Sequence, residues 1–221
     1  MFIADSILKR MLKNVYFIWG SGKTTIANRL REQYGFYVYS TDESRDRQIM
    51  MADPTDQPYM CRNFESEYGV KSFWELPKEV IAEREEHVVA EMTPMMIAEL
   101  IVLSAQHPII LCEGDIDYHA VVPIASHIVH LCNQSTTFDW FNRPDHTDVR
   151  DTVRNRTDLS EEQKQAIIDN AYRAVTVEEG TGSDWVSELG IKNIIWNDYT
   201  SIDMTAAEVA SYFEFDKQVL Q

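Results

Sequence analysis

The sequence predicts an α/β protein of three layers, a mostly parallel five-stranded sheet with helices on both faces. Three observations carry this. Five short, apolar, β-prone runs alternate with longer stretches of helical apolar spacing, the pattern that a parallel sheet with crossover helices imposes. The first run leads directly into Gly20-Ser21-Gly22-Lys23-Thr24-Thr25 and then a helix-like segment, so strand, glycine turn and helix follow in series. Two further runs end at an acid, Asp42 and Glu113, where open parallel sheets present ligand-binding groups.

Taken in order, residues 6–13 suggest a short helix, 14–18 the first strand and 24–34 a helix stopped by Gly35. Residues 36–40 are β-prone and are followed at once by Thr41-Asp42. The Pro, Thr, Asp and Gln content of 53–58 marks a loop. Residues 73–106 then show helical spacing interrupted by Pro77 and Pro94, which predicts two helices or one long bent helix. Val80, Ile81, Val88, Val89, Met92, Met95, Met96 and Leu100 form its expected core face. Residues 108–114, 127–132 and 191–196 supply the remaining strands. The polar stretch 142–160 carries Arg143, Arg150, Arg154 and Arg156, the helical run after it adds Arg173, and this stretch is the expected mobile lid.

A chain of 221 residues is long enough for one well-buried domain, expected to span 1–221. A hydrophobic content of 44% excludes a disordered chain, and apolar runs such as 109–112 are too short to span a bilayer, so no membrane partner is expected. The N-terminus lacks the pattern of a secretory signal, which points to a cytoplasmic location. Cys61, Cys112 and Cys132 are odd in number and widely spaced, as for reduced and mostly buried thiols. A net charge of −16 opposes a phosphate-backbone partner, so no nucleic acid is expected. A small substrate, met by basic residues focused on one cleft, fits better. Oligomeric state stays open.

Gly20, Ser21, Gly22, Lys23, Thr24 and Thr25 read as a phosphate-binding loop. Backbone N–H groups of a Gly-rich turn and of a helix N-terminus face a phosphate, Lys23 reaches the outer phosphates, and the Thr24 hydroxyl serves Mg²⁺. Thr25 supports the helix start. Asp42 is the candidate to orient or deprotonate an acceptor hydroxyl, with capping of the next helix as its competing role. Glu113 is the candidate metal-proximal acid, against an ordinary exposed turn acid. Arg143, Arg150 and Arg154 would close over donor phosphates, against plain surface solvation. The loop is short, however. The usual pattern places a Gly where Phe17 stands. Either about three residues are missing, or the first strand ends early and Phe17, Ile18 and Trp19 enter the loop.

These residues resemble the P-loop kinase group of nucleotide, shikimate and other small-molecule kinases, with their adenylate-kinase-like core. Val15-Tyr-Phe-Ile18, Asp42 and Ile109-Ile-Leu-Cys-Glu-Gly114 are similar to the loop start, second-strand acid and Ile-Ile-x-Glu-Gly strand of a set of bacterial P-loop proteins. Thr136-Thr-Phe-Asp-Trp-Phe-Asn-Arg143 looks like that set's Thr-x-x-Phe segment leading to an Arg. The resemblance implies ATP or GTP binding with Mg²⁺ and phosphoryl transfer to a small hydroxyl- or phosphate-bearing acceptor. The departure lies at Trp19-Gly20, where the set has a glycine pair. The alternative is a degenerate relative that binds nucleotide, phosphate or a protein partner without transfer.

Overall fold

The fold is seen in a computed structural model that describes residues 2–132, 153–175, 186, 188–197 and 201–218. Its strands are β1 (Val15–Gly20), β2 (Tyr37–Ser40), β3 (Ile110–Glu113), β4 (His127–Cys132) and β5 (Ile194–Trp196). They form one sheet of order β2-β3-β1-β4-β5 in which every pairing is parallel. The chain leaves β1 for the edge strand β2, returns to β3, and crosses to β4 on the far side of β1. That reversal places a crevice at the carboxyl ends of the central strands, where open α/β sheets bind ligands. Register brings these ends together, since Glu113 pairs with Ile18 on one side and Ser40 on the other, and Gly20 pairs with Leu131.

Parallel strands are buried on both faces and therefore read as continuous apolar runs. In β1 the residues from Val15 to Trp19 are all buried, Tyr16 the most exposed of them at 4%. Tyr16 and Ile18 join Ile26, Leu30, Leu111, Val129 and Val209 in the main core. Phe17 and Trp19 alternate to the opposite side, where the Trp19 ring packs edge-on against Tyr118, 4.5 Å between centroids. The first strand is longer than the predicted 14–18 because Trp19 and Gly20 stay paired with His130 and Leu131.

α1 (Phe2–Met11) leads into β1, and the helices that start at the site are α2 (Lys23–Tyr34) and α3 (Thr41–Met51). Ile26, Ala27 and Leu30 give α2 its buried stripe. Gly35, left-handed at φ 73°, ends it by donating its N–H to the Arg31 carbonyl. The short helices α4 (Pro58–Cys61) and α5 (Phe64–Tyr68) lead through a 3₁₀ turn, Phe73–Glu75, into α6 (Lys78–Ser104). Of the two alternatives for this stretch the single long helix holds: α6 runs for 27 residues through Pro94, which lies on its exposed side. The Thr93 hydroxyl donates to the Val89 carbonyl just before it. Ile81, Val88, Met92, Met96 and Leu100 are buried, whereas Val80, Val89 and Met95 are only half-buried. An 18-residue window of α6 has mean hydropathy 1.4 and is 28% buried, so by length and composition alone it could cross a membrane. After β3 come α7 (Tyr118–Val121), β4, α8 (Glu161–Val175), β5, α9 (Ile202–Tyr212) and a last turn of helix, Phe215–Gln218.

The described residues fall into two compact units. One comprises Met1–Ala52, Val89–Asn133 and Gly180–Gln221 and contains the sheet. The other comprises Asp53–Val88 and Gln134–Glu179. Its core is Phe64, Leu76 and Ile81, edged by Phe73 and Trp74. The Arg62 and Arg84 guanidinium groups lie 4.3 Å from the Phe64 ring and 4.7 Å from the Phe73 ring. Cys61 is exposed and Cys112 and Cys132 are buried, all three as free thiols.

Candidate phosphate site at the carboxyl ends of the strands

Gly20 has φ 88°, and a carbon added to it would stand 2.1 Å from the Leu131 carbonyl oxygen. Close pairing of β1 with β4 therefore demands glycine here. The Ser21 N–H donates to that same carbonyl at 2.8 Å, and the Ser21 carbonyl accepts from Asn197 Nδ2. Of the two sequence alternatives, the shortened loop holds. Phe17, Ile18 and Trp19 remain in the strand, and the connection to α2 is the two residues Ser21 and Gly22.

Gly22, left-handed at φ 82°, is the N-cap of α2 and no side chain caps the helix. The first helical bond runs from Ile26 N–H to the Gly22 carbonyl. Helix geometry leaves the amides of Lys23, Thr24 and Thr25 without intrahelical acceptors, and with the helix dipole they favour an anion.

Two further strand ends meet this helix start. The Thr24 hydroxyl donates to Glu113 Oε2 at 2.6 Å. Glu113 is 1% exposed, and no hydrogen-bond partner reaches its Oε1 among the described residues. Gly114, at φ 120°, follows; a carbon added there would lie 1.8 Å from Thr41 Oγ1. That close approach lets the end of β3 sit against the first turn of α3, where Asp42 stands. Beyond it Asp115 is exposed and lies 4.0 Å from Lys23 Nζ. Asp42 also reaches solvent. Even so, crowding raises its carboxyl pKa, chiefly through desolvation, with Asp115 and Glu113 adding to the rise and Lys23 and Arg45 opposing it. Burial likewise holds the Tyr118 phenol protonated, reinforced by the Asp115 charge. Burial alone lowers His130 to about 4, so it is neutral near pH 7.

The fold thus brings Gly20, Ser21, Gly22, Lys23, Thr24, Thr25, Asp42 and Glu113 to one edge of the sheet. Asp42 is not the cap of α3, a position held by Ser40. Glu113 is not an exposed turn acid. Arg143 and Arg150 lie outside the described residues, as does most of 142–160. Arg154 is exposed in the second unit, where its carbonyl accepts from Lys164 Nζ. Arg156 is committed to Glu75 and Asp158. The expected focus of basic residues is also absent from the described part of the site, in which Asp42, Glu113 and Asp115 face Lys23 and Arg45. Sequence reasoning missed Asp115. Its signal was a second acid directly behind Glu113-Gly114, at the same strand end.

A hydroxyl and a buried carboxylate with an unpartnered oxygen are hard donors suited to Mg²⁺. No group of three His, Cys, Asp or Glu side chains arranged for an ion occurs among the described residues. Magnesium carried in with phosphates needs only one or two protein oxygens, so the residues present fit it.

No protein-family model and no curated protein matches the chain. Among solved structures, it is similar to a dephospho-CoA kinase from Campylobacter jejuni, with a TM-score of 0.40 and 12% identity over 91% of this chain and 96% of that one. It is also similar to an uncharacterized protein from Eubacterium ventriosum, with a TM-score of 0.37 and 14% identity over 90% and 97%.

Proposed function

We propose that this protein binds ATP or GTP with Mg²⁺ and transfers the terminal phosphoryl group to a small molecule, through a hydroxyl or phosphate oxygen of that acceptor. The observation that carries the reading is the Thr24–Glu113 pair at an uncapped helix start, a buried carboxylate holding one hydroxyl and keeping its second oxygen unpartnered. A buried, unpaired carboxylate oxygen is costly unless a cation satisfies it.

The amides of Lys23, Thr24 and Thr25 would hold a donor phosphate, and the Lys23 ammonium would bind the outer phosphates. Thr24 and Glu113 would hold the metal, which when bound would offset charge on the transferring group. Asp42 would orient the acceptor hydroxyl and take its proton. Arg143, Arg150 and Arg154 remain candidates for closing over the phosphates.

A second reading, binding without transfer, draws on the two-residue turn. The Ser21 amide is spent on Leu131, so fewer amides face a phosphate than in a full-length loop. Calorimetric titration with Mg·ATP and with Mg·GTP, together with ADP or GDP release over a panel of alcohols and phosphomonoesters, separates the two. Transfer predicts binding plus turnover, with Lys23→Ala reducing turnover by ~10²–10³-fold. Binding without turnover on any acceptor selects the second reading, and no binding of either Mg·ATP or Mg·GTP at millimolar concentration overturns both.

A further inference from the structure

We infer that the sheet-bearing unit has a second ligand site, a cavity between β2, α3 and the end of α6 that takes a small planar aromatic carboxylate. None of Gly20 to Thr25, Asp42 or Glu113 lines this cavity, and the inference does not depend on phosphoryl transfer.

The cavity has a volume of about 510 Å³, within the range of sites that hold small molecules. Its lining residues all belong to the sheet-bearing unit. Tyr37 and Tyr39, two apart on the edge strand β2, share one face of that strand. Ala98, Glu99, Val102 and Leu103 recur at the spacing of one face of α6, and Arg47 reaches in from α3. One wall is fixed by its own hydrogen bonds. The Tyr39 phenol donates to Glu99 Oε2 at 2.6 Å and accepts from Gln48 Nε2 at 3.1 Å. Arg47 meets the same carboxylate side-on, with Nη2 donating to Oε2 at 2.7 Å and Nε to Oε1 at 3.3 Å.

The phenol and both carboxylate oxygens are thereby committed, whereas the guanidinium has used one edge. Its outer edge, formed by Nη1 and the second Nη2 hydrogen, donates no hydrogen bond among the described residues, and the Arg47 side chain is 51% exposed. A pair of parallel N–H donors held in place beside apolar walls matches the two oxygens of a carboxylate. The second charge of a phosphomonoester would stand close to Glu99, on a chain that already carries −16, which favours the singly charged group. The body of the ligand follows from the aromatic wall. His107 stacks on the Tyr37 ring at 4.2 Å between centroids and 23° between planes, so that ring is held while remaining 38% exposed. A planar ring gains by stacking on such a platform. Ala98, short enough to let a ring lie against α6, and the exposed Val102 complete the apolar surface. A flexible chain would lose more conformational freedom for the same contacts.

The test is calorimetric titration of the whole chain, without nucleotide, by naphthoate, cinnamate and indole acetate. Naphthalenemethanol, naphthyl phosphate and octanoate are the neutral, phosphorylated and flexible comparison probes. Saturable binding of at least one aromatic carboxylate at millimolar concentration is expected, about tenfold tighter or more than any comparison probe. Arg47→Gln, which removes the outer edge, should weaken it about tenfold or more. Ala98→Trp, at an exposed position of α6, should fill the cavity and abolish binding while the urea midpoint stays near wild type. Absence of saturable binding by all three carboxylates overturns the inference, as does any comparison probe that binds within that tenfold. Binding that survives Arg47→Gln or Ala98→Trp puts the ligand elsewhere and overturns it too. Each of these outcomes leaves the phosphotransfer reading as it stands, since that reading is tested with nucleotide.

Discussion

Glu113 buries its carboxylate behind a single short hydrogen bond from Thr24, and Asp42, across the same strand ends, carries a pKa raised by desolvation and by its acidic neighbours. Removing the Thr24 hydroxyl would leave Glu113 buried and wholly unpaired. Thr24→Val is therefore expected to lower the unfolding free energy by about 2–3 kcal/mol, read by urea titration, with Thr24→Ser close to wild type. An unchanged midpoint for Thr24→Val would show that the bond contributes nothing. For Asp42 the sign follows from proton binding. Its folded pKa lies above its unfolded value, so the folded state binds the proton more tightly, and stability declines as pH rises from near 3.8 through the raised pKa. Above the raised pKa the ionised carboxylate opposes folding. Asp42→Asn should then raise Tm at pH 7 and flatten that decline, while cutting turnover by ~10²–10⁴-fold. A Tm that falls instead would contradict the assignment. The residue types at these positions were legible in the sequence, since a Lys-Thr after glycine and acids after apolar runs announce themselves. Asp115 shows in the sequence only as a second acid behind Glu113-Gly114; its place near Lys23 depends on Gly114 bringing the chain against Thr41.

At the scale of elements, the β1–α2 connection combines two demands in one short string. Gly20 belongs to the sheet and Gly22 to the helix start. Sequence reading assigned both to phosphate contact, because where a strand ends depends on its neighbour, here β4, far along the chain. Three glycines of positive φ separate the effects. Gly35→Ala meets open space at the end of α2 and should cost only about 1–2 kcal/mol of backbone strain. Gly20→Ala would drive a carbon into the Leu131 carbonyl and force β1 and β4 apart, for a loss on the order of 3–4 kcal/mol. Gly114→Ala meets Thr41, whose hydroxyl can turn away but whose Cβ, 2.8 Å from the added carbon, cannot, so its cost should approach that at Gly20 and exceed that at Gly35. Thermal and urea unfolding of the three variants would check the order, and equal losses would mean that the contacts at Gly20 and Gly114 do not matter. The single long helix α6 is a second case. Pro94 left open either a break or one long helix; it lies on the exposed side, and the burial of Met92, Met96 and Leu100 on the other side holds the helix through it.

For the whole molecule, an excess of sixteen negative charges repels itself in the compact state. Raising NaCl from about 0.02 M to about 0.5 M should screen that repulsion and raise Tm, whereas a Tm that falls would mean that specific ion pairs such as Arg29–Asp203 outweigh it. By itself the sequence determined the class of fold. Buried parallel strands must be apolar throughout and crossover helices must be amphipathic, and both signatures are local. It also determined the kinds of chemical group at the strand ends. The tertiary structure decided where β1 stops, that α6 continues past Pro94, and that Glu113 is buried against Thr24 with Asp42 and Asp115 beside Lys23. Those outcomes are set by the register between strands and by the close approach of backbone at Gly20 and Gly114. They depend on pairs of residues far apart in the chain, which no local pattern records.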